Sequence, residues 1–180
     1  MPPAQGSATI GKRPQLGLAA ALWLGAAAAG PTAAQPWTVT VNAGAGQVLD
    51  SGGGAEGGVE MVFAPFWLGI APAIGGTVSD YGSSYAYLGF RRGFPVGGRV
   101  SITPFTGVGV HHRGDGIDLG GSLQFRSGLE LAVGVGARQR LSLSLYHLSN
   151  AGLQRPNPGT ESLIVGYSFT VDGGPPAGRP

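Results

Sequence analysis

Three side chains near the C-terminal end of the sequence have the types and spacing that ester hydrolysis requires. His147 and Ser149 are two residues apart, and Glu161 follows a segment rich in Asn, Gly and Pro. A serine hydroxyl becomes a nucleophile when an imidazole removes its proton, and a carboxylate fixes the imidazole tautomer and stabilises its charged form. We therefore take His147 as a candidate base, Ser149 as a candidate nucleophile and Glu161 as a candidate orienting acid.

Two asparagines lie in the same segment. Asn150 directly follows Ser149, where its side chain or backbone N–H can donate to a developing oxyanion, and Asn157 is a second candidate donor or a loop organiser. The segment also has a purely structural interpretation, because Asn-Ala-Gly and Pro-Asn-Pro-Gly are ordinary turn sequences. Spacing alone does not decide between the two.

The elements that must position these residues are β-strands. After residue 36 no helical period appears, and segments of alternating apolar and small or polar residues are separated by clusters of Gly, Ser, Pro and Asp. We predict eight strands, at residues 37–43, 58–64, 67–79, 84–91, 99–111, 122–136, 140–149 and 161–171. The predicted fold class is all-β, an eight-stranded antiparallel transmembrane β-barrel.

The alternation in the last two strands places the candidate residues on one face. His147 and Ser149 share the parity of the leucines of the seventh strand, and Glu161 shares the parity of the apolar residues of the eighth. Those apolar residues are Leu141, Leu143, Leu145, Leu163, Val165, Tyr167 and Phe169. A hairpin that pairs residue 147 with residue 161 brings the three polar groups together, since cross-strand neighbours lie about 5 Å apart.

Several features predict that the apolar faces meet lipid. Only 11% of the residues are charged, against about 25% in an ordinary soluble domain. The other faces carry Gly and Ser, and an even number of strands of about 10 residues suits an outer-membrane barrel. Aromatic residues are available for interfacial girdles, namely Trp67, Tyr85, Tyr87, Tyr167 and Phe169.

The N-terminal segment predicts a secretory signal peptide over residues 1–34. Lys12 and Arg13 precede an apolar run at 16–30, which is shorter than the roughly 18–20 residues of a spanning helix, and small residues precede a cut before Gln35. The barrel is then residues 35–171, followed by a Gly- and Pro-rich tail at 172–180. Removing Lys12 and Arg13 leaves nine arginines against nine acidic residues, so the charge gives no argument for a nucleic-acid partner.

No metal or cofactor is implied by the sequence. The chain has no cysteine, and the ligand spacing of the strong zinc patterns is absent. His111 and His112, near Asp115 and Asp118, are better explained as a polar surface loop at the end of the fifth strand.

The motif His-x-Ser-Asn-Ala-Gly, followed by Pro-Asn-x-Gly-x-Glu, resembles the signature of the lipid A 3-O-deacylase family, also called PagL. The resemblance implies an eight-stranded outer-membrane barrel that hydrolyses the 3-position ester of lipid A without a cofactor. It implies His147, Ser149 and Glu161 as the triad, and Asn150 and Asn157 in oxyanion stabilisation or loop support. Lipid A or lipopolysaccharide is then the substrate, in the bacterial outer membrane.

Two other functions stay open at this point. One is a non-catalytic structural or adhesive barrel in the outer membrane, in which the loop near Asn157 is only a turn. The other is a soluble envelope β-barrel that binds a lipid inside. The sequence leaves the formation of homodimers open.

Overall fold

The computed structural model describes residues 37–50 and 53–171 of the chain. Nine strands form one antiparallel sheet: β1 (Trp37–Gly46), β2 (Gly54–Val62), β3 (Ala71–Ser79), β4 (Ser84–Arg91), β5 (Phe94–Gly97), β6 (Val100–His112), β7 (Leu123–Gly134), β8 (Gln139–Ser149) and β9 (Thr160–Val171). The predicted signal peptide and the predicted tail at 172–180 lie outside the described residues.

The sheet closes on itself. Consecutive strands pair with each other except β4 and β5, β1 also pairs with β9, and β4 pairs directly with β6. Eight long strands therefore form a closed barrel, and the short β5 is an additional strand that pairs only with the beginning of β6. The predicted eight-stranded antiparallel barrel is confirmed. Closure matters physically because it leaves no long strand edge unpaired.

Two predicted strand starts were wrong by four residues. We placed the second strand at residues 58–64, whereas β2 begins at Gly54 because its glycine-rich start pairs with the end of β1. We began the third strand at Trp67, but Trp67–Gly69 forms a 3₁₀ turn in which Leu68 and Gly69 have positive φ angles, and β3 begins at Ala71.

The outer wall of the barrel is apolar on all sides. Large aliphatic side chains stand outward at alternate positions of the strands and are between 39% and 63% exposed, among them Val41, Val59, Ile74, Leu88, Val108, Leu129, Leu143 and Val165. An outward apolar band around a closed barrel with a polar interior is the arrangement of outer-membrane proteins. No helix in the part of the chain that the structure describes is long and apolar enough to cross a membrane.

The interior holds an ionic cluster that the sequence analysis did not anticipate. Glu60 pairs with Arg91, Arg91 pairs with Glu130, and Arg126 lies 3.6 Å from Glu60. The guanidinium of Arg126 also lies over three aromatic rings, at 4.5 Å from Tyr87, 4.7 Å from Phe105 and 4.2 Å from Tyr146. Buried charges are tolerated when they are paired, and here they fill the lumen.

The same cluster corrects the assignment of two aromatic residues. Tyr85 and Tyr87, which we expected in an interfacial girdle, are 3% and 5% exposed and stack on each other inside the barrel. Both parities of β4 carry apolar residues in sequence, and the inward one contacts polar groups of other strands: Tyr87 donates to Glu60, and Tyr85 donates to the carbonyl of Gln124. Exposed aromatic residues do collect at the end of the barrel where β1 begins and β9 ends, which we call the terminal end, namely Phe63, Phe66, Trp67, Phe90 and Phe94.

The opposite end of the barrel, which we call the loop end, carries residues 47–50, 80–83, 113–122 and 150–159. These segments are held to one another rather than extended. Asp115 N–H donates to the carbonyl of Tyr81, and Val48 N–H donates to the carbonyl of Glu161. The loop end is therefore a packed surface, and it contains the last residues of β8 and the first residues of β9.

The ionic cluster predicts a specific loss of stability. Glu60→Ala leaves Arg91 and Arg126 buried without their shared carboxylate, and we expect the free energy of unfolding to fall by about 3–5 kcal/mol. Asp118→Ala, which removes a half-exposed carboxylate paired with Arg113, should cost only about 0–1 kcal/mol. Urea unfolding in lipid vesicles, followed by tryptophan fluorescence, measures both; equal losses would contradict a structural role for the cluster.

Candidate active site

His147 and Glu161 meet on the outer wall of the barrel at the loop end. They are direct partners in the register of β8 and β9, and His147 Nδ1 lies 2.9 Å from Glu161 Oε1. The side chains are 42% and 29% exposed, so the pair is accessible from outside the barrel and partly covered by neighbouring residues. A carboxylate at Nδ1 orients the ring and leaves Nε2 to exchange a proton with a substrate or a nucleophile.

An apolar surface continues directly from this pair along the barrel wall. The next outward pairs toward the terminal end are Leu145 with Leu163 and Leu143 with Val165, all between 43% and 55% exposed. Polar groups on a lipid-facing surface are costly, and they are commonly kept for function. The His147–Glu161 pair therefore lies where an apolar chain along the wall meets the polar loop end.

Ser149 is the next outward residue of β8 after His147, and it is partly exposed. Within the described residues its hydroxyl makes no hydrogen bond to His147. Hydrogen bonds between catalytic groups are often long without substrate and shorten in the complex. The structure thus places Ser149 on the same outward face as His147, at the next outward position of β8.

A second outward serine lies beside His147, and the sequence analysis missed it. Ser127 of β7 is the direct cross-strand partner of His147, and it is exposed. No sequence motif marks Ser127, since it lies 20 residues before His147 and only the barrel register brings the two together. Ser127 is therefore an alternative candidate for the nucleophile, beside Ser149.

The imidazole of His147 packs on Gly159. A Cβ atom at Gly159 would lie 2.3 Å from Cε1 and 2.9 Å from Nε2 of the ring, and φ at this glycine is +72°. Both the close approach and the backbone conformation require glycine. Gly159, in the sequence Pro-Gly-Thr-Glu, thus fixes one side of the position of the ring.

Asn150 organises the loop that follows β8. Its side chain is 1% exposed, and its Nδ2 donates to the carbonyls of Leu119, Gln154 and Pro156 at 2.7, 3.0 and 3.2 Å. Its Oδ1 accepts from Gly152 N–H at 2.8 Å. The side-chain donor of Asn150 is therefore occupied inside the protein, which favours loop support over oxyanion binding.

Asn157 complements Asn150 from the far side of the loop. Its Oδ1 accepts the backbone N–H of Asn150 at 3.0 Å, so the backbone donor of Asn150 is occupied as well. The rest of the Asn157 side chain is exposed, and within the described residues Nδ2 makes no hydrogen bond. Of the two candidate oxyanion donors, only Asn157 has a donor facing outward.

The other polar candidates do not come together. His111 and His112 are adjacent on β6, so His111 points into the barrel while His112 points outward. Asp118 pairs with Arg113 and accepts the N–H of Gly120. Among residues 37–50 and 53–171 no group of three or more His, Asp or Glu side chains is arranged to hold a metal ion.

Comparison with solved structures finds the same fold in two membrane barrels. The crystal structure of the outer membrane enzyme PagL superposes with a TM-score of 0.58 at 22% identity, covering 74% of this chain and 99% of that one. A de novo designed transmembrane β-barrel superposes with a TM-score of 0.54 at 11% identity, covering 78% of this chain and all of the design. At these identities both matches establish the fold alone.

A family model establishes more. No curated protein matches the chain, but the model of the lipid A 3-O-deacylase (PagL) family matches residues 64–170. That range extends from just after β2 almost to the end of β9, and it includes His147, Ser149, Asn150, Asn157 and Glu161. The chain is therefore an outer-membrane β-barrel protein that belongs to the lipid A 3-O-deacylase (PagL) family.

Proposed function

We propose that this protein hydrolyses the ester that links an acyl chain to the 3-position of lipid A, with Ser149 as nucleophile, His147 as base and Glu161 as the orienting acid. The observation that carries the proposal is the 2.9 Å contact between His147 Nδ1 and Glu161 Oε1 on the outward wall. A structural barrel has no need of a hydrogen-bonded imidazole and carboxylate facing lipid, whereas an esterase acting on a membrane lipid does.

The proposed reaction uses the three groups in the roles of a serine esterase. His147 Nδ1–H donates to Glu161, and Nε2 takes the proton of Ser149 Oγ as the oxygen attacks the ester carbonyl. The protonated ring then gives that proton to the departing sugar oxygen, which leaves the acyl chain on Ser149. Water, activated by the same imidazole, hydrolyses this acyl-enzyme and restores the serine.

The tetrahedral intermediates carry an oxyanion that needs a donor. Asn157 Nδ2 supplies it, because the side-chain and backbone donors of Asn150 are both used within the protein. Asn150 in turn holds the loop in place by joining it to the carbonyl of Leu119.

The substrate lies against the barrel rather than inside it. The lumen is filled by the ionic cluster around Arg126, so no acyl chain can enter there. The outward pairs Leu145 with Leu163 and Leu143 with Val165 form the surface along which the acyl chain extends. Lipid A reaches this site by lateral diffusion in the outer leaflet, with its sugar and phosphate groups at the loop end.

The nucleophile is tested by comparing two serine variants. Mass spectrometry of lipid A from cells expressing the native protein should show the loss of one hydroxyacyl group. Ser149→Ala at matched outer-membrane levels should reduce the rate by on the order of 10³–10⁶, while Ser127→Ala should leave it unchanged. Activity lost only in Ser127→Ala would transfer the role to Ser127. Unmodified lipid A with the correctly inserted native protein, in cells and in detergent, would instead indicate a non-catalytic barrel.

The oxyanion role of Asn157 is separable from its role in the loop. Asn157→Asp retains the oxygen that accepts the Asn150 N–H but replaces the outward donor with a second oxygen. We expect kcat to fall on the order of 10²–10³ because the donor is lost, with little change in thermal stability. Asn150→Ala, in contrast, should lower both kcat and thermal stability. If Asn157→Asp keeps its full kcat, Asn157 only supports the loop.

A further inference from the structure

Glu56 of β2 lies inside the barrel beneath the His147–Glu161 pair. Glu56 is buried, with 8% of its surface exposed. One carboxylate oxygen accepts a hydrogen bond from the hydroxyl of Tyr146, and the other accepts one from the hydroxyl of Ser162 at 2.9 Å. A single carboxylate from β2 therefore joins β8 and β9 from within, although β2 pairs with neither of them.

The two hydroxyl groups held by Glu56 occupy a particular position in the register. Tyr146 and Ser162 are direct cross-strand partners, and the adjacent pair in the same register is His147 with Glu161. Since consecutive residues of a strand point to opposite faces, the inner pair faces Glu56 and the outer pair carries the proposed chemistry. Any movement of Tyr146 or Ser162 is transmitted through one peptide unit to His147 or Glu161.

This end of the ladder needs additional support. Only one further pair, Leu148 with Thr160, follows before the strands separate into the loop 150–159. Thr160 is itself held by a 2.9 Å hydrogen bond to Asp50, and Glu161 O accepts Val48 N–H at 3.0 Å. These contacts hold β9, and within the described residues Glu56 is the side chain that holds β8 and β9 together from inside at this level.

We infer that Glu56 is a positioning residue for the esterase: it fixes the separation of β8 and β9, and so the geometry of the His147–Glu161 pair on the outer wall. The inference rests on the proposed function. A displacement of about 1 Å in a catalytic group can cost about 10²-fold in rate, so a buried carboxylate that never contacts substrate can control kcat.

The test measures kcat and KM on purified lipid A in detergent. Glu56→Ala should lower kcat by about 10–100-fold, consistent with displacement of the catalytic pair, while KM stays close to the native value because the outer surface is unaltered. Glu56→Gln should restore most of kcat, since an amide can accept one hydroxyl and donate to the other. A structural role alone would lower the amount of folded protein and leave the kcat of the folded fraction unchanged.

The two hydroxyl partners give matched pairs of variants. Tyr146→Phe and Ser162→Ala each remove one hydrogen bond to Glu56. In the Glu56→Ala background neither substitution should lower kcat further, because the effects of residues in one network are not additive. Tyr87→Phe removes an equivalent hydroxyl from Glu60. Ser168→Ala removes an equivalent hydroxyl of β9 from Thr40. Both controls should keep the native kcat; equal losses in tests and controls would overturn the inference.

A second readout does not depend on activity. The chain has three histidines, so ¹⁵N-histidine spectra in detergent are simple to assign. Glu56→Ala should shift the His147 ring signals and increase exchange of the Nδ1 proton, while Tyr87→Phe should not. Unchanged His147 signals together with an unchanged kcat would refute the role of Glu56. If the native protein shows no deacylation, the proposed function fails, and the spectra alone still decide whether Glu56 positions His147.

Discussion

The register between β8 and β9 is the constraint on which the site depends. His147 contacts Glu161 because the two are direct partners. A shift of one residue would turn an entire strand over, with its leucines facing the lumen and its serines facing lipid. The same register that keeps the apolar band continuous therefore also assembles the candidate catalytic pair, so the membrane-facing surface and the proposed active site have a common origin.

Polar contacts inside the barrel hold this register. Burial of the outward apolar side chains in lipid does not distinguish this register from one shifted by two residues, because both keep the same face outward. The lumen instead contains paired charges around Glu60, Arg91 and Arg126, together with Glu56 and its two hydroxyl partners. Each of these ion pairs and hydrogen bonds breaks if one strand shifts along its neighbour. The polar interior therefore specifies the geometry, and the filled lumen restricts lipid substrates to the outer wall.

Much of the fold follows from the sequence because alternation is a local property. The leucines of β8 and the apolar residues of β9 identify the outward face and place His147, Ser149 and Glu161 on it, and the eight-stranded barrel and the family are both confirmed. Where both parities of a strand are apolar, alternation fails. Tyr85 and Tyr87 were assigned to the wrong face for that reason, since their hydrogen-bond partners inside the barrel, Gln124 and Glu60, lie on other strands.

The remaining features depend on contacts between residues distant in sequence. Ser127 lies beside His147 only because β7 pairs with β8 in one register. The occupied donors of Asn150 follow from the packing of loop 150–159 on Leu119. Glu56 is 90 residues from Tyr146, and nothing in its surroundings in sequence marks it as part of the site.

The central claim is that a serine on the outer wall is activated by His147 and Glu161. A lipophilic fluorophosphonate, which modifies activated serines covalently, tests this claim most directly when the modified peptide is identified by mass spectrometry. The account predicts a single modification at Ser149 that is lost in His147→Ala and strongly reduced in Glu161→Ala. Modification at Ser127 instead, or modification of Ser149 that persists without His147, would contradict it.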